Sequence, residues 1–545
     1  MRLFLLFSPY YFVLNASSIT FAVKSRTDMK KFSSIISHYR TIAYALFFVL
    51  AWIWAAWWMG DLYRMAYENS FLAADRTLMH FLWQESFGTM WIAGRALLLL
   101  YRWPLIGGLA VTVLLTAAVW LIGYCFRLRP RWRWLGLLPV SAWMTWVAWL
   151  GLNLFFQHEP GRTLGVLLLG VLVCAVDAFV IWTFKSRSSH HQHHEAAPAT
   201  LKTCMLTLCM MALCFGAPML VTSLRHPYAR PVTHMQVQML HDDWVGMSET
   251  AHKYATLSYR PLAAYYAVAL VHTGRLTDEM FDIRLDYDSL HVVNWTGNPD
   301  VGTNYYLVDC NYTAGLFRAA EHKAMEQMTM DGPSLFTLKH LTRLALLDNN
   351  WALARKYLRV LSKAPFEGAF IERYSAMLDS PDRVAADPEF ALLRQTEPAL
   401  DNFESYFEPP VFLGYNCALL AGRTKTALMH SLMANLYSKR MPAFLERCQP
   451  LVGTMPPRYI AEGLVTQVKK YPEVLQAFPQ LNMTAQLFSG FLRDTATELK
   501  DRPTYARELF DRYHGYYPYY YFFGNLKATR KRTTNEHGGS NAGVN

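Results

Sequence analysis

The chain has 545 residues, and its formal net charge of +11 would suit a soluble protein with a basic, nucleic-acid-binding surface. The composition argues against that class, because 53% of the residues are hydrophobic and only 17% are charged. Residues 1–224 contain 18 Lys and Arg against 8 Asp and Glu, whereas the remainder contains 34 against 33. Basic residues between apolar segments are typical of cytoplasmic loops in membrane proteins. We therefore expect a lipid bilayer as partner, and no nucleic acid.

The apolar runs predict a membrane domain at residues 41–224. A hydrocarbon core needs about 20 apolar residues, and five runs are long enough to cross it. The predicted spans are 41–60, 104–125, 134–156, 164–184 and 203–224. Arginines crowd the loop 126–133, whereas the loop after the third span has only Arg162. Because Lys and Arg are retained in the cytoplasm, the N-terminus is predicted inside and everything after Leu224 outside.

The residues before the first span allow several interpretations. Residues 1–40 are predicted to form a basic cytoplasmic N-terminus. Their apolar beginning, 1–23, could be a signal-like sequence, a further span or a translated upstream extension. Met29 precedes two lysines and is typical of a start, which makes 1–28 the candidate extension. None of these alternatives changes the later spans, since their basic loops fix them independently.

A shorter apolar segment, 87–102, lies between the first two spans and contains Arg95. We predict a helix in the outer interface, because an arginine inside hydrocarbon costs about 3 kcal/mol on insertion scales. The alternative is the beginning of a long, tilted second span.

After the last span the sequence becomes that of a soluble helical domain. Two prolines predict an extended linker at 225–234, an extracytoplasmic domain follows at 235–524, and a polar, disordered tail at 525–545 ends the chain. Apolar residues recur at helical spacing in this domain, and strand signals are scarce. The predicted helices are 242–257, 261–273, 303–328, 334–347, 351–363, 410–421, 423–439, 442–448, 460–470, 483–499 and 504–513.

Residues 335–365 form the clearest pair of predicted helices. Leu341 would pack inside the first helix, and Ala354, Leu358 and Leu361 recur on one face of the second. The second helix resembles that of a tetratricopeptide repeat, although the usual first-helix pattern is missing. The predicted fold class is therefore all-α: a polytopic transmembrane bundle followed by a soluble domain of α-helical hairpins.

Three segments stand out by their residue pattern. They are DLYRMAYENSF at 61–71, the 87–102 stretch running into YRWPLIGG, and the aromatic cluster at 513–523. Together they resemble a family of multi-pass bacterial inner-membrane proteins with a tetratricopeptide-like C-terminal domain and no assigned activity. The resemblance implies a periplasmic C-terminal domain and supplies no catalytic residue.

The first external loop contains the candidate catalytic residues Asp61, Glu68 and Glu85. Membrane glycosyltransferases that use lipid-linked sugars place acidic residues after their first span, where an acid acts as a base or a metal ligand. Those enzymes usually have more than five spans, and ordinary outer loops are also acidic. An enzyme acting on a lipid-linked substrate is therefore the alternative hypothesis, and it rests on analogy.

Asp177 is the only acidic residue within the predicted spans. A carboxyl group in hydrocarbon is either protonated or paired, and a proton relay would need further polar partners. Because the other spans offer few, we favour a structural hydrogen bond between helices over a relay.

The sequence predicts no cofactor and no specific metal site. Four histidines within 190–194 could bind a metal ion weakly, but a short loop lacks the supporting contacts of a catalytic site. Cys417 and Cys448 could form a disulfide if their helices meet, and buried thiols are the other interpretation. Phosphate-loop, dinucleotide and common hydrolase motifs do not occur in the sequence.

Eight aromatic residues lie between Tyr513 and Phe523. They could stack on sugars or peptides, but packing against the last helices is the favoured interpretation. Taken together, the sequence predicts a membrane-anchored helical-repeat protein that binds or scaffolds a periplasmic protein or peptide. A binding role is favoured over an enzymatic one.

Overall fold

The computed structural model describes residues 26–84, 86–128, 132–155, 160–187, 201–255, 260–285, 303–400, 422–496 and 502–524. Every regular element in these ranges is a helix, which confirms the predicted all-α class. The chain divides into two compact units. The first comprises Met1–Trp57, Gly108–Trp149 and Val166–Val221, and the second comprises Trp58–Gly107, Leu150–Gly165 and Thr222–Asn545.

The helices are numbered in chain order over these ranges. The α-helices are α1 (Arg26–Ile53), α2 (Gly60–Glu68), α3 (His80–Trp83), α4 (Gly88–Leu98), α5 (Pro104–Cys125), α6 (Leu137–Leu150), α7 (Arg162–Arg187), α8 (Leu201–Arg225), α9 (Ala229–Met239), α10 (Trp244–Lys253), α11 (Arg260–Thr273), α12 (Leu276–Glu279), α13 (Thr303–Thr313), α14 (Phe317–Asp331), α15 (Leu335–Leu347), α16 (Trp351–Leu361), α17 (Gly368–Ser375), α18 (Pro381–Ala386), α19 (Pro388–Thr396), α20 (Lys425–Tyr437), α21 (Met441–Arg447), α22 (Arg458–Thr466), α23 (Glu473–Ala477), α24 (Asn482–Asp494), α25 (Arg502–Tyr513) and α26 (Tyr517–Phe523). Shorter 3₁₀ segments are Leu99–Arg102, Arg133–Gly136, Gly151–Phe155, Met280–Asp282, Gln449–Leu451 and Pro479–Leu481, and a π-helical turn covers Trp54–Trp58.

Within the residues that the structure describes, five helical stretches are long and apolar enough to cross a membrane, at the five predicted positions. They are Thr41–Trp58, Pro104–Cys125, Trp134–Leu154, Arg162–Phe184 and Lys202–Arg225. Inside the first unit aromatic rings pack closely, with the Phe47 and Phe215 centroids 5.7 Å apart. Outside, α7 leaves Leu172, Val176 and Phe179 exposed. A long uncovered apolar face favours contact with lipid over contact with water.

The second unit contains the predicted helical pair, α15 and α16. Ser334 caps α15, because its hydroxyl accepts from the Thr337 amide while the Thr337 hydroxyl accepts from the Ser334 amide. Leu341 of α15 is buried, as are Ala354 and Leu358 of α16. The predicted apolar faces of both helices are therefore packed inside.

The extended linker predicted at 225–234 is wrong, because α9 begins at Ala229. Pro231 lies in the first turn of that helix, where a missing N–H breaks no helical hydrogen bond. Val232 and Met235 are buried, so α9 is a packed element of the second unit.

The helix predicted at 303–328 is also wrong as a single element, since α13 ends at Thr313 and α14 begins at Phe317. Gly315 lies between them with a φ of 75°. The Gly315 amide donates to the Tyr312 carbonyl, which closes the end of α13. The helix predicted at 410–421 lies outside the described residues.

The segment 87–102 is helical and separate from the second span. Its α4 continues as the 3₁₀ turn Leu99–Arg102, and an extended Trp103 separates that turn from α5. A Cβ atom on Gly94 would lie only 1.9 Å from the Gly161 carbonyl oxygen. Small residues thus let α4 pack directly against the beginning of α7. The alternative of one long second span does not fit this break.

The aromatic cluster packs against preceding helices, which was the favoured interpretation. The Tyr517 hydroxyl donates to the Leu436 carbonyl at 3.0 Å, and the Tyr520 hydroxyl donates to the Tyr437 carbonyl at 2.7 Å. The Tyr517 amide donates to Glu462 Oε2 at 2.8 Å. Burial raises the pKa of Glu462 to about 7, against the opposing effects of this amide and Arg458.

Gly315→Ala tests the connection between α13 and α14. An added Cβ would lie 2.6 Å from the Glu397 backbone, and the positive φ alone costs about 1 kcal/mol in an L-residue. The matched control is Gly274→Ala, which has a φ of 69° but meets nothing within 4 Å. We expect a larger fall in thermal unfolding midpoint for Gly315→Ala. Equal falls would contradict the close packing of this turn.

Candidate functional site

The described ranges contain a buried group of charges centred on Glu68, the last residue of α2. Its side chain is only 3% exposed. Glu68 Oε2 accepts a 2.8 Å hydrogen bond from Lys339 Nζ in α15. Glu68 Oε1 lies 3.0 Å from Arg64 Nη2, one turn earlier in α2. This carboxylate therefore connects the segment after the first span to the C-terminal helices of the second unit.

A second buried carboxylate completes the group. Glu367, the residue before α17, is also 3% exposed, and its Oε2 lies 2.9 Å from Lys339 Nζ. The Tyr67 hydroxyl donates to Glu367 Oε1 at 3.1 Å, and Arg102 Nη1 lies 3.5 Å from the same oxygen. The lysine ammonium therefore bridges two carboxylates. We call this group of six residues the ionic cluster: Arg64, Tyr67, Glu68, Arg102, Lys339 and Glu367.

The electrostatics of the ionic cluster keep Glu68 ionised. Burial would raise the pKa of the Glu68 carboxyl, but the charges of Lys339 and Arg64 outweigh that effect and lower it. For Tyr67, burial together with the neighbouring carboxylates raises the pKa of the phenol. Glu68 thus has no proton to donate at neutral pH, and both its oxygens are engaged. This arrangement fits a structural contact better than a general acid or base.

The next residue of α15, His340, joins a second polar chain. Its Nε2 lies 3.0 Å from Asp309 Oδ1, and its Nδ1 lies 3.0 Å from the Phe336 carbonyl oxygen. Both partners are hydrogen-bond acceptors. Asp309 Oδ2 also accepts from the Tyr265 hydroxyl at 2.7 Å, and that hydroxyl accepts from Gln236 Nε2 at 2.7 Å.

One turn after Lys339, Arg343 meets a third acidic residue. Arg343 Nε lies 3.4 Å from Glu389 Oε1, and Glu389 also accepts from the hydroxyls of Tyr312 and Tyr374, each at 2.9 Å. Burial opposes the charge on Glu389, but Arg343 and the two hydroxyls lower its pKa. The three basic residues of α15, Lys339, His340 and Arg343, are therefore matched by acids from four other segments.

Asp61 lies at the other end of α2 from Glu68. Asp61 Oδ2 is 2.8 Å from His234 Nδ1 in α9. Seven residues separate the two acids, which corresponds to roughly 10 Å along a helix. Each acid contacts a different helix of the second unit. The structure therefore does not bring them together as a pair of catalytic carboxylates.

The remaining predicted site residues are dispersed. Glu85 lies outside the described residues. Asp177 is exposed on α7. The Cys125 thiol of α5 donates to the Cys174 carbonyl oxygen of α7 at 3.2 Å. This hydrogen bond joins two predicted spans three residues before Asp177, and the role of Asp177 itself stays a prediction.

Cysteines and histidines give no metal or redox centre in the part of the chain that the structure describes. Cys448 is a buried free thiol, and burial raises its pKa. Cys417, its predicted disulfide partner, lies outside the described residues, as do the histidines at 190–194. Within the described ranges, no three His, Cys, Asp or Glu side chains are grouped so that they could hold a metal ion.

Sequence reasoning missed Lys339 and Glu367. The signal for Lys339 was present, because three basic residues lie within five positions of an otherwise apolar helix, LFTLKHLTRLALL. Buried charges need partners, so this helix had to meet acids. Glu367 lies in a turn and had no local signal.

Lys339→Met tests the ionic cluster. The two buried carboxylates would lose the ammonium that bridges them, and removing one partner of a buried ion pair costs about 3 kcal/mol or more. We expect a clear fall in thermal unfolding midpoint of the full chain in detergent. Adding Glu68→Gln to this variant should recover part of the loss. The control is Lys356→Met, at an exposed position of α16. A midpoint for Lys339→Met equal to that of the control would contradict the proposed role.

Asp61→Asn tests the pair with His234. The hydrogen bond to the Asp61 carboxylate raises the pKa of His234 above its ordinary value. Because the folded-state pKa is raised, the pair stabilises the protein fully below the ordinary pKa of histidine and less as the pH rises through the raised value. We expect Asp61→Asn to lower the pKa of His234 in an NMR titration, with Glu372→Gln as control. No change on Asp61→Asn would refute the pairing.

Comparison with known proteins gives a family but no activity. Residues 152–524 match a family described as a family of unknown function (DUF6057). The matched stretch is more than half of the chain and includes Lys339 and Glu367, whereas Glu68 precedes it. No curated protein and no solved structure matches the chain. The chain belongs to this family of unknown function (DUF6057).

Proposed function

We propose that this protein is anchored in the bacterial inner membrane and binds an apolar segment of another envelope protein through its periplasmic helical domain. The observation that carries the proposal is an exposed apolar strip on α24. Met483 and Leu487 lie one turn apart on this helix and are 75% and 64% exposed. The next position on the same face is Gly490, where an added Cβ would meet nothing within 4 Å. These three residues are called the apolar strip.

Exposed side chains of a neighbouring loop extend the apolar strip. Val452 and Met455 are exposed in the loop before α22. This loop is tied to the beginning of α24, because Gln480 Nε2 donates to the Thr454 carbonyl oxygen. Several apolar side chains on adjoining elements are typical of a surface that binds a protein, whereas single exposed ones are ordinary.

The chemistry of the apolar strip suits a peptide. Methionine side chains are flexible and polarisable, so they adapt to irregular apolar partners. The uncovered backbone at Gly490 lets another chain approach closely. Asn482, Gln486 and Arg493 form the polar flank of the same helix, which would give a partner segment one apolar and one polar side.

A binding role also agrees with the contacts of two of the candidate catalytic acids, which are paired with basic side chains. Asp61 and Glu68, two candidates of the lipid-linked enzyme hypothesis, each contact a basic side chain of a different helix. We therefore propose that they hold α2 in place, and no described residue group favours the enzyme alternative. We propose the periplasmic placement because basic residues lie in the predicted cytoplasmic loops.

Leu487→Asp tests the proposed surface. A photo-crosslinking residue at position 483 first identifies the partner segment in cells, and a synthetic peptide of that segment is then titrated against the full chain in detergent. Burying an unpaired carboxylate at the interface should weaken peptide binding about tenfold or more. Gln486→Asp adds the same charge on the polar flank and should bind within about twofold of the natural chain.

Two results would contradict the proposal. One is equal peptide binding by Leu487→Asp and Gln486→Asp. The other is crosslinking from position 483 only to a second copy of the chain or to lipid. A thermal unfolding midpoint for Leu487→Asp close to that of the control shows that lost binding does not come from misfolding.

A further inference from the structure

The ionic cluster reaches the protein surface at Arg102. The other basic members are more deeply placed, whereas the Arg102 side chain is 29% exposed. Its contact with Glu367 is long, at 3.5 Å. The Arg102 side chain is therefore partly open to the surroundings of the protein.

The charges of the ionic cluster do not balance. Lys339, Arg64 and Arg102 are three cations, and Glu68 and Glu367 are two carboxylates, both bridged by the lysine. The excess is one positive charge. In addition, Arg64 Nη1 is buried and has no hydrogen-bond partner among the described residues. An uncompensated positive charge next to a low-dielectric interior attracts an anion.

Two aromatic rings flank the exposed guanidinium. Its carbon lies 5.8 Å from the ring centroid of Trp103 and 5.7 Å from that of Phe366. The two rings meet edge to face at 5.3 Å, and each residue is about half exposed. The exposed surface thus combines one arginine with apolar walls, which suits a ligand that carries an anion on an apolar body.

The position in the chain indicates where that ligand comes from. Trp103 directly precedes α5, one of the five helices apolar enough to span a membrane. Residues just outside a span lie at the level of the lipid headgroups, and tryptophan is enriched there. Phosphate groups of lipids are the commonest anions at this depth, and arginine binds phosphate through two parallel hydrogen bonds.

We propose that Arg102, Trp103 and Phe366 form a binding site for the phosphate headgroup of an anionic phospholipid. Arg102 donates to the phosphate, and the two rings contact the glycerol and upper acyl region. The site is separate from the apolar strip on α24 and does not depend on a protein partner. Headgroup binding would place a negative charge next to the excess positive charge of the ionic cluster.

The test measures lipid binding to the full chain in detergent, by native mass spectrometry and by thermal unfolding. Phosphatidylglycerol is the probe, phosphatidylcholine is the zwitterionic comparison, and inorganic phosphate at the same concentration tests a free anion. We expect phosphatidylglycerol to bind more tightly than phosphatidylcholine and to raise the unfolding midpoint. Arg102→Gln should weaken phosphatidylglycerol binding about tenfold, because a charge-assisted hydrogen bond is lost.

Two variants separate binding from folding. Arg102→Lys keeps the charge and should retain most of the lipid-dependent rise in midpoint. Arg359→Gln removes an exposed arginine of α16 and should leave phosphatidylglycerol binding unchanged. Equal phosphatidylglycerol binding by Arg102→Gln and Arg359→Gln would overturn the proposal. So would equal protection by phosphatidylcholine or by inorganic phosphate.

Discussion

The second unit is organised by the burial of one ammonium group. Lys339 Nζ lies within 3 Å of both Glu68 and Glu367, and a charge taken out of water at this depth needs such partners. Glu68 is 271 residues from Lys339 in sequence, so the contact can form only if α2 packs against the C-terminal helices. The Leu335 amide, which donates to the Ser70 carbonyl at 3.0 Å, joins the same two segments. This constraint accounts for the assignment of Trp58–Gly107 to the second unit rather than to the first.

Two further basic residues of α15, the helix of Lys339, also meet acidic partners. His340 meets Asp309 and Arg343 meets Glu389, so α15 is surrounded by acids that come from separate helices. Apolar packing tolerates small shifts of one helix against another, but a buried charge without its partner costs several kcal/mol. Alternative arrangements of these helices would leave at least one charge unpaired. We infer that the buried pairs select one arrangement of the helices, and that apolar burial supplies most of its stability.

The sequence predicted what depends on local pattern. The five long apolar helices follow from length and hydropathy, and the burial of Ala354 and Leu358 follows from helical spacing, so both features were correctly predicted. Pro231 was misread because proline breaks a helix in its interior but is tolerated in its first turn. The break between α13 and α14 at Gly315 was missed, because the sequence alone does not show that this glycine has a positive φ. The partnership of Lys339 with Glu367 could not be predicted, since a turn residue without a pattern supplies the second carboxylate.

Arginines of the second unit are also used for packing. The number of basic residues in a loop indicates the side of the membrane on which the loop lies only where those residues are not buried in the fold. Arg95 follows the first span and is buried; its Nη1 donates to the Phe71 carbonyl at 3.0 Å and its guanidinium lies 5.5 Å from the Phe81 ring centroid. Burial lowers the pKa of Arg95 to about 10, which still leaves it charged at neutral pH. Arg95 is thus used for folding, as Arg64 is through its contact with Glu68. Basic residues on the predicted outer side therefore stabilise the fold of the second unit.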